Sequence, residues 1–571
     1  MGTRERTTAL DAHGQRLVAF RPDAKPRCGP CGRAWGATAG AGRQKSGGPR
    51  LRISCHNAPF YRIAGVFFLA RADYAPPALN VLLVYPEFPE TFWSFKHALK
   101  FVGKRAALPP LGLLTIAAML PPEWKPRLID LNVRRLRDRD LDWADLVCVS
   151  GMIAQRPSVE AVIARCRAAG KKIVAGGPLF TSEHAQFPDV DHFVLNEAEL
   201  TLPEFLRDFA AGTARRLYAT PLFADVQTTP VPLWHLAELR RYNSMSIQFS
   251  RGCPFDCEFC DVTAKFGHRP RTKSAVQITA ELDALYACGW RGEVFFVDDN
   301  LIGNKRALKT ELLPALVAWQ RGRRHGLPFY TEASINLADD AELMDLMREA
   351  GFDAVFIGIE TPSETGLAEC NKRQNQGRDL VADVKRIQRA GLQVQGGFIV
   401  GFDSDVPSIF QRQVEFIQKS GIVTAMVGLL NALPDTKLYA RMKREGRLVG
   451  QTTGDNVDGT LNFIPRMPTE QLIEGYKSIL RRIYAPGPYY QRIRTLLREY
   501  RRPKISTGLQ WQHLRALVQS SLRLGVIGRE RLQYWRLLLW TLLHRPALLP
   551  LAITLAIHGQ HFRRCCDAIG V

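Results

Sequence analysis

The sequence predicts an α/β protein with a doubly wound parallel sheet first, a barrel of six strand–helix repeats second and a helical C-terminal region last. Three observations lead to this fold class. Apolar strand-like runs alternate with helix-like stretches from Leu79 onward. The alternation stops at a linker with three prolines, Pro221–Pro232, and starts again at Met245. Beyond residue 430, long basic and leucine-rich stretches of helical character replace the strand-like runs.

Length and composition set the number of domains. The 571 residues are 46% hydrophobic and 23% charged, which is typical of a globular chain that buries substantial cores. A chain of this length is expected to form about two to four domains. The predicted segments are a disordered basic extension, the sheet domain, a linker, the barrel and an accessory, mostly helical basic domain, at 1–76, 79–215, 216–242, 243–430 and 431–571.

The formal charge of +22 is concentrated at the two ends of the chain. Residues 1–76 contain 13 lysines and arginines against 4 acidic residues, and residues 481–571 contain 16 against 3. The stretch between them, 77–480, is neutral overall. A protein that binds polyanions through its catalytic region would carry the excess charge there, so nucleic acid is not an expected partner.

The 12 cysteines lack the spacing of a disulfide framework, which indicates reduced thiols and a cytoplasmic protein. Cys28 and Cys31 form a C-x2-C pair in the N-terminal extension, but no second pair with zinc-site spacing follows and only Cys55 lies nearby. Cys565 and Cys566 are adjacent and match no ligand pattern. Neither group is assigned a site.

Five apolar runs predict the strands of the first sheet, and Ser158–Ala169 is one of the helices between them. The runs are Asn80–Pro86, Arg127–Asn132, Leu146–Ser150, Lys172–Gly177 and His192–Leu195. In a doubly wound parallel sheet, the ligand crevice lies at the carboxyl ends of the strands. The polar or small residues at those ends are Asp130, Ser150, Gly176 and Gly177.

The chemistry of the chain is organised around Ser250–Cys260, here named the cysteine loop. Cys253, Cys257 and Cys260 follow an apolar alternating run at C-x3-C-x2-C spacing. Three thiolates on one short loop can hold three irons of a [4Fe–4S] cluster and leave the fourth iron open. A zinc loop is the competing interpretation, but structural zinc sites use four protein ligands. No fourth cysteine lies nearby, which favours the cluster.

Six strand-like runs predict the barrel. They are Ser246–Ser250, Glu293–Val297, Phe329–Ser334, Ala354–Ile359, Val394–Val400 and Thr424–Leu430, with helix-like stretches between them. Six repeats are too few to close an eight-stranded barrel, and in such barrels active residues gather at the carboxyl ends of the strands. The candidate residues at or near those ends are Asp298, Asp299, Glu332, Ser334, Glu360, Gly396 and Gly397.

The cysteine loop, with Phe259 between its last two cysteines, resembles that of the radical SAM superfamily. The six repeats are similar to the open, partial (β/α)6 barrel of that superfamily. This resemblance implies that S-adenosylmethionine (SAM) binds the open iron and is cleaved to a 5′-deoxyadenosyl radical, with an electron from a donor such as flavodoxin or ferredoxin. The implied SAM-binding residues are the seven strand-end residues named above, Glu360 as a partner of the ribose or of a nearby arginine.

The sheet domain resembles the cobalamin-binding domain that precedes the barrel in one class of radical SAM enzymes. The resemblance implies a cobalamin site in which Ser150, Gly176 and Gly177 leave room for the nucleotide tail. In cobalamin domains with a D-x-H-x-x-G motif, the histidine ligates the cobalt. Here Asn132 stands at the histidine position after Asp130, and the motif glycine is absent. The expected binding mode therefore has no protein ligand to the cobalt.

Asn431–Tyr439 and the helix-like stretches after it resemble the accessory domain of the radical SAM subfamily that contains hopanoid C-2 methylases. From Arg481 onward the chain is basic, with Trp, Tyr and Leu interleaved. Its most apolar part, Tyr534–Ile557, is interrupted by His544–Pro546 and falls short of the roughly 20 apolar residues of a membrane span. Two interpretations stay open, namely docking on an anionic inner-membrane surface and a helical cap over the barrel mouth.

These features together predict a cobalamin-dependent radical SAM C-methyltransferase that acts on a small apolar, lipid-like substrate. The alternative is a cyclase or rearrangement enzyme with the same cofactors, as in the resembling anaerobic oxidative cyclases of porphyrin synthesis. Methylthiotransfer to tRNA needs three further cysteines in the sheet domain, which contains Cys148 and Cys166 alone. A cobalamin or nucleic-acid binding module is disfavoured by the neutral middle of the chain and the intact cysteine loop.

Overall fold

The computed structural model describes residues 78–455, 457–501, 504–505 and 511–571. The extension predicted for residues 1–76, with Cys28, Cys31 and Cys55, lies outside the described residues. Within the described part, the predicted α/β class is confirmed, because two six-stranded parallel sheets are followed by a helical region.

The first sheet is doubly wound, with strand order β2-β1-β3-β4-β5-β6. Its strands are β1 (Asn80–Tyr85), β2 (Lys125–Asp130), β3 (Leu146–Ser150), β4 (Lys172–Gly176), β5 (His192–Val194) and β6 (Leu217–Tyr218). Its helices are α1 (Lys96–Val102), α2 (Leu111–Met119), α3 (Asp138–Trp143), α4 (Arg156–Ala168), α5 (Pro178–Glu183) and α6 (Ala198–Ala210). The chain reverses its direction across the sheet between β1 and β3, and the ends of these two strands therefore flank the ligand crevice.

Burial explains why these runs form central strands. Val81, Leu82, Leu83 and Val84 of β1 are all 0% exposed, which requires helices on both faces of the sheet. Two separate apolar clusters, one on each face, confirm this layering. The short strand β6 was not predicted, and it adds one strand beyond residue 215.

The second sheet has the order β14-β13-β12-β11-β10-β7, all parallel. Its strands are β7 (Met245–Ile247), β10 (Val294–Phe296), β11 (Phe329–Glu332), β12 (Phe352–Glu360), β13 (Gln393–Val400) and β14 (Ala425–Leu429), and a small antiparallel pair consists of β8 (Ser250–Arg251) and β9 (Arg271–Thr272). Because β7 and β14 are the two edges and do not pair with each other, the barrel is open on one side.

Helices cover the outside of this barrel. They are α7 (Val262–Phe266), α8 (Ala275–Ala287), α9 (Lys305–Ala307), α10 (Leu313–Arg321), α11 (Ala341–Ala350), α12 (Glu364–Glu369), α13 (Leu380–Ala390) and α14 (Ile409–Ser420). Local sequence sets several of their ends. Ser274 and Gln277 form a capping box at the start of α8, and Gly351 and Gly391 end α11 and α13 with positive φ.

The C-terminal region is helical and packs onto both preceding parts. It consists of α15 (Lys437–Arg444), α16 (Thr469–Tyr484), α17 (Pro486–Glu499), α18 (Trp511–Ser520), α19 (Arg531–His544) and α20 (Leu549–Ala568). In α20, Phe562 stacks on Phe92 of the segment after β1, with 4.2 Å between ring centroids. Among the helices of the described residues, none is both long and apolar enough to cross a membrane.

Candidate active site

The cysteine loop leaves the carboxyl end of β7 and lies at the mouth of the barrel. The pairing of β8 with β9 closes the base of the loop. Gly252, just before the first cysteine, has φ +98°, and a Cβ there would lie 2.9–3.0 Å from three carbonyl oxygens of residues 266–269. Only glycine combines this φ with so close an approach, so the turn into Cys253 depends on it.

All three thiols of the loop are partly buried. Asn300 Nδ2 donates to Cys253 Sγ at 3.9 Å, and Gln374 Nε2 donates to Cys257 Sγ at 3.8 Å. Burial raises the pKa of Cys253 and raises that of Cys260 to about 12. Bound iron is a group that would stabilise these sulfurs as thiolates, so the donor set fits an iron–sulfur cluster. Within the part of the chain that the structure describes, no group of three or more His, Cys, Asp and Glu side chains is arranged to hold a single metal ion.

One brace of the cysteine loop is the segment after α12. Glu258 N donates to the carbonyl oxygen of Cys370 at 3.0 Å. Asn371 Nδ2 donates to the carbonyl oxygen of Asp256 at 2.8 Å. These bonds fix the backbone on both sides of Cys257.

The second brace is helix α15, from the start of the C-terminal region. Leu438 N donates to the carbonyl oxygen of Glu258 at 3.0 Å, and Arg441 Nε donates to its carboxylate at 2.7 Å. Lys437 also pairs with Asp256. The loop therefore takes its shape from contacts with the barrel and with the accessory region.

Asp298 holds the start of the cysteine loop. It is 0% exposed, and its carboxylate accepts hydrogen bonds from Phe249 N at 3.1 Å, from Ser250 Oγ at 2.6 Å and from Ser250 N. Burial raises its pKa to about 7. The carboxyl thus positions the loop through its backbone, and direct contact of this side chain with SAM stays a prediction.

The next three residues of the mouth are Asp299, Asn300 and Ser334. Burial raises the pKa of Asp299 to about 6, with a further contribution from Asp261. Asn300 is buried, and its Nδ2 lies 3.2 Å from Ser334 Oγ while its Oδ1 accepts from Ser334 N at 3.2 Å. Asn300 therefore links the first cysteine to the strand end that carries Ser334.

Glu332 faces the same space. Burial raises its pKa to about 8, and the carboxyls of Asp299 and Asp298 add to the shift. Carboxyls that crowd together in this way are stabilised in their charged form by a nearby cation. The sulfonium and ammonium groups of SAM supply such positive charge, so the residues at the mouth fit this ligand.

Glu360 and Lys372 form an ion pair beside the cysteine loop, with 2.6 Å between Oε1 and Nζ. Burial opposes the charge on Lys372, but Glu360 and the thiols of Cys257 and Cys260 hold its pKa above the usual value. A Cβ at Gly358 would collide with the Glu360 carboxylate, so this glycine makes room for the pair. The predicted partner of Glu360 was the ribose or an arginine, and the structure gives it a lysine.

Gly396 and Gly397 point to opposite faces of β13. A Cβ at Gly396 would lie 2.8 Å from the Phe398 ring, within the outer core. A Cβ at Gly397 would lie 2.8 Å from Cζ of Phe356, inside the barrel. Both glycines make room for neighbouring rings, and their predicted contact with adenine stays a prediction.

The carboxyl edge of the first sheet is formed by small residues at the ends of β3 and β4. Ser150 and Gly176 are register partners on β3 and β4. A Cβ at Gly176 would lie 2.5 Å from the carbonyl oxygen of Val194, and one at Gly177, which has φ +92°, would lie 2.5 Å from Ser150 Oγ. Glycine is required at both positions by these protein contacts. The edge carries only small residues here, which is compatible with cobalamin, and contact of these residues with the nucleotide tail stays a prediction.

Asn132 takes no part in an open ligand position. Its Oδ1 accepts from Phe88 N at 2.9 Å, and its Nδ2 donates to Asp130 Oδ1 at 2.8 Å and to the carbonyl oxygen of Pro86 at 3.2 Å. The amide therefore ties the segment after β1 to the end of β2. Because its amide is engaged in these hydrogen bonds, Asn132 is not placed to serve as a ligand to the cobalt.

Comparison with known proteins places the chain in a family. Residues 105–206 match the B12 binding domain, residues 247–446 the radical SAM superfamily and residues 436–570 a domain of unknown function (DUF4070). An uncharacterized methyltransferase of Synechocystis sp. is 43% identical over 490 residues, which cover 85% of this chain and 91% of the relative. The chain belongs to the B12-binding radical SAM family.

A second member of this family is the hopanoid C-2 methylase of Rhodopseudomonas palustris, which is 36% identical over 427 residues and is covered to 80%. The fold is shared with the cobalamin-dependent SAM radical enzyme OxsB, at a TM-score of 0.56, 16% identity and coverage of 86% of this chain and 84% of that chain. The fold is also shared with the radical SAM methyltransferase TsrM of Kitasatospora setae. The TM-score is 0.52 and the sequence identity 15%, and the match covers 66% of this chain and 79% of that chain.

Membership confirms the predicted enzyme class and cofactors. The chain is a radical SAM enzyme, and its cofactors are a [4Fe–4S] cluster, SAM and cobalamin. Asn300 and Lys372 were not predicted as site residues. Asn300 directly follows Asp298 and Asp299, and this adjacency is a signal that could have identified it. Lys372 lies in a connection with no periodic pattern, and only the fold brings it to the cysteines.

Proposed function

We propose that this B12-binding radical SAM enzyme performs cobalamin-dependent transfer of a methyl group to an unactivated carbon of an apolar, lipid-like substrate. The observation that carries the proposal is the presence, on one chain, of a cysteine loop that fits three irons and of a B12 binding domain that precedes it. Two family members with 43% and 36% identity are named as a methyltransferase and a methylase, which supports the same reaction.

In this reaction, the residues of the chain bind the cofactors and orient them. Cys253, Cys257 and Cys260 would hold three irons, and Asp298 fixes the point where their loop leaves β7. When bound, the cluster supplies the electron that cleaves SAM to a 5′-deoxyadenosyl radical, and cobalamin supplies the methyl group. Asp299 and Glu332 would face the cationic groups of SAM. A radical of this reactivity demands a site that excludes water and presents one carbon.

The test uses enzyme that is reconstituted under anaerobic conditions with iron, sulfide, SAM, cobalamin and reduced flavodoxin as the proposed electron donor. With a hopanoid substrate, the wild type should form 5′-deoxyadenosine and a product heavier by one CH2. Cys257→Ala should abolish both, whereas Cys288→Ala, an exposed cysteine at the end of α8, should leave both unchanged.

Two outcomes would redirect the proposal. Cleavage of SAM that survives Cys257→Ala would contradict the assignment of the cysteine loop. Formation of 5′-deoxyadenosine with a product that gains no CH2 would replace methyl transfer by cyclisation or rearrangement.

We also propose that the enzyme meets its lipid-like substrate at an anionic membrane surface, through a C-terminal apolar face. This face consists of Trp511, Leu514, Val518, Leu522, Val526, Ile527, Leu532, Trp535, Leu539, Leu542 and Leu543, all exposed. Five arginines on the same segment are also exposed: Arg515, Arg523, Arg529, Arg531 and Arg536. The acidic residue among them, Glu530, is buried and paired with Arg563 at 2.5 Å. Apolar side chains within a basic surface are typical of peripheral membrane contact.

Co-sedimentation with vesicles tests this contact. The enzyme should bind vesicles of phosphatidylglycerol and phosphatidylcholine more tightly than phosphatidylcholine alone. Trp511→Ser with Ile527→Ser, at 77% and 79% exposure, should weaken binding about tenfold. The matched double variant Leu222→Ser with Val276→Ser, also highly exposed, should bind normally. Equal binding of both double variants, or dimerisation through this face seen by light scattering, would contradict the membrane proposal.

A further inference from the structure

The inner face of the barrel encloses an open space. Outward-facing residues of four strands of this sheet, β10, β11, β12 and β14, are 0% exposed: Phe296, Thr331, Val355 and Val427. The residues just before them along each strand, or just after them in β12, face inward and are partly exposed: Phe295, Tyr330, Phe356 and Met426. A parallel sheet that was packed on both faces would bury both sets equally. The difference therefore marks a chamber. These four side chains line it with aromatic rings and a thioether, and Glu332 and Gln395, the register partners of Phe356, lie on the same face.

A tryptophan of the first domain reaches into this chamber. Trp93 lies in the segment between β1 and α1, and its Nε1 donates to Met426 Sδ at 2.9 Å. Its ring also meets the Phe356 ring edge to face, with 5.3 Å between centroids and an interplanar angle of 82°. Trp93 as a whole residue nevertheless keeps 37% exposure. Trp93, Phe356 and Met426 are named the aromatic wall.

The aromatic wall lies between the two cofactor edges. The segment with Trp93 starts at the carboxyl end of β1, where the crevice of the first sheet opens. Phe356 is the register partner of Glu332 at the barrel mouth. Any substrate that receives a group from one edge and loses a hydrogen to the other has to lie between them, where the wall is.

Two further features support a binding surface. Phe95, whose ring centroid lies 6.1 Å from that of Trp93, has φ +48°, a conformation that non-glycine residues rarely adopt and that is typical of functional sites. His558 of α20 lies 5.0 Å from Phe95, and burial lowers its pKa to about 3. This imidazole is therefore neutral, and it adds no charge beside the wall.

We infer that the aromatic wall is the surface against which the apolar substrate lies, and that Trp93 of the cobalamin-binding domain is its specificity-determining residue. The inference rests on the proposed function and names the part of the molecule that selects the substrate. A rigid, uncharged ring system would cover the partly exposed rings and gain hydrophobic and dispersion contacts there. A polar or charged substrate would gain no partner from these three side chains.

The test measures binding separately from turnover. Tritium-labelled hopane, a saturated pentacyclic hydrocarbon, is presented in detergent micelles to cofactor-loaded enzyme, and its retention is measured by equilibrium gel filtration. Trp93→Ala should weaken hopane binding by about tenfold, and Trp93→Phe, which keeps an aromatic face, should restore most of the affinity. Val276→Ala, which shortens an exposed apolar side chain outside both the aromatic wall and the C-terminal apolar face, should bind hopane normally. Cobalamin absorbance and iron content should be the same in all four proteins.

Two results would overturn the inference. Unchanged hopane binding in Trp93→Ala would show that the substrate lies elsewhere, while methyl transfer by the wild type would still stand. Loss of cobalamin absorbance in Trp93→Ala would assign the wall to the cofactor. If Trp93→Ala fails to fold by circular dichroism, Phe356→Leu and Met426→Ala test the same surface. Failure of the wild type to methylate any apolar compound would instead contradict the proposed function. That result is obtained with the wild type alone, so it is distinguishable from a failure of the inference on Trp93.

Discussion

The carboxyl edges of the two sheets are built in opposite ways. At the first sheet, the strand ends carry the small residues Gly176 and Gly177, and the amide of Asn132 is engaged in hydrogen bonds to the backbone of Phe88 and Pro86. At the barrel, the edge is crowded with ionisable groups: Asp298, Asp299, Glu332, Glu360 and Lys372. One edge carries small, uncharged residues at these positions, and the other carries charge.

The two edges differ because the two cofactors have different requirements for binding to a parallel sheet. A large preformed cofactor such as cobalamin needs an empty space and few directed groups. A small charged ligand on an iron–sulfur cluster needs fixed charges and a fixed loop. We therefore expect a variant at one edge to reduce binding of the cofactor at that edge and to leave the other cofactor unaffected.

The largest effect is expected from Lys372→Met. The change leaves Glu360 buried without a partner, at a cost of about 3–5 kcal/mol, and removes a positive charge from beside the thiolates. Iron and sulfide content after reconstitution should fall severalfold, and any remaining cluster should have a lower reduction potential by EPR titration.

Lys437→Met is the matched control for Lys372→Met. Lys437 also pairs with the cysteine loop, through Asp256, but its side chain is 64% exposed and its loss should matter little. Cobalamin content should stay normal in both variants. Normal iron content and a normal reduction potential in Lys372→Met would contradict the role of the charged groups at the barrel edge in binding the cluster.

Gly177→Ala should act on cobalamin alone. The new methyl group would meet Ser150 Oγ, and the backbone conformation at φ +92° and ψ 179°, which is almost exclusive to glycine, adds strain of about 1–3 kcal/mol. Gly170→Ala also places a side chain at positive φ, +64°, but no atom lies within 4 Å of its Cβ. Cobalamin absorbance should drop in Gly177→Ala, recover in part when Ser150→Gly is added, and stay normal in Gly170→Ala. An equal loss in both alanine variants would mean that strain, and not room, is decisive.

The charged edge should also be visible in the pH dependence of cofactor-free protein. Burial and neighbouring carboxyls raise the pKa of Glu332 to about 8 in the folded state, above its unfolded value of about 4.3. Its contribution to stability is therefore complete below about pH 4 and is lost as the pH rises towards 8. The thermal midpoint should fall between pH 5.5 and 8.5, and Glu332→Gln should flatten that slope. Glu342→Gln, at a side chain with 72% exposure, should leave the slope as it is.

Asn132→Ala should produce the smallest effect. It removes the amide that joins Pro86, Phe88 and Asp130, so the free energy of unfolding should fall by about 1–2 kcal/mol in a urea titration. The absorption spectrum of bound cobalamin should not change. A shift in the cobalamin spectrum would show that Asn132 contacts or positions the cofactor at the carboxyl edge of the first sheet.

Much of the fold could be predicted because strands with 0% exposure are readable as apolar runs. The run Leu146–Ser150 was predicted with the bounds that the structure gives β3. The strand β6 was missed because Leu217–Tyr218 is too short to show a pattern. The helix-like stretch between the second and third barrel runs is present, but its segment Leu308–Leu312 is π-helical, and residue spacing alone does not reveal that change.

The site was predictable where its members are neighbours in sequence. The spacing of Cys253, Cys257 and Cys260 is local, so the cluster could be read directly. The roles of Lys372 and Trp93 depend on which connections meet at the barrel mouth, and that meeting is a property of the folded chain. Asp298 was found by its position at a strand end, but its hydrogen bonds to the loop backbone have no sequence signature.

The brace between α15 and the cysteine loop sets an order for the biogenesis of the enzyme. Arg441 lies 183 residues after Glu258, to which it donates at 2.7 Å. When the three cysteines leave the ribosome, the helix that shapes their loop has not been synthesised. Maturation by the iron–sulfur assembly machinery therefore belongs after translation of the accessory region, and a chain that ends before α15 should accumulate as an immature protein without its cluster.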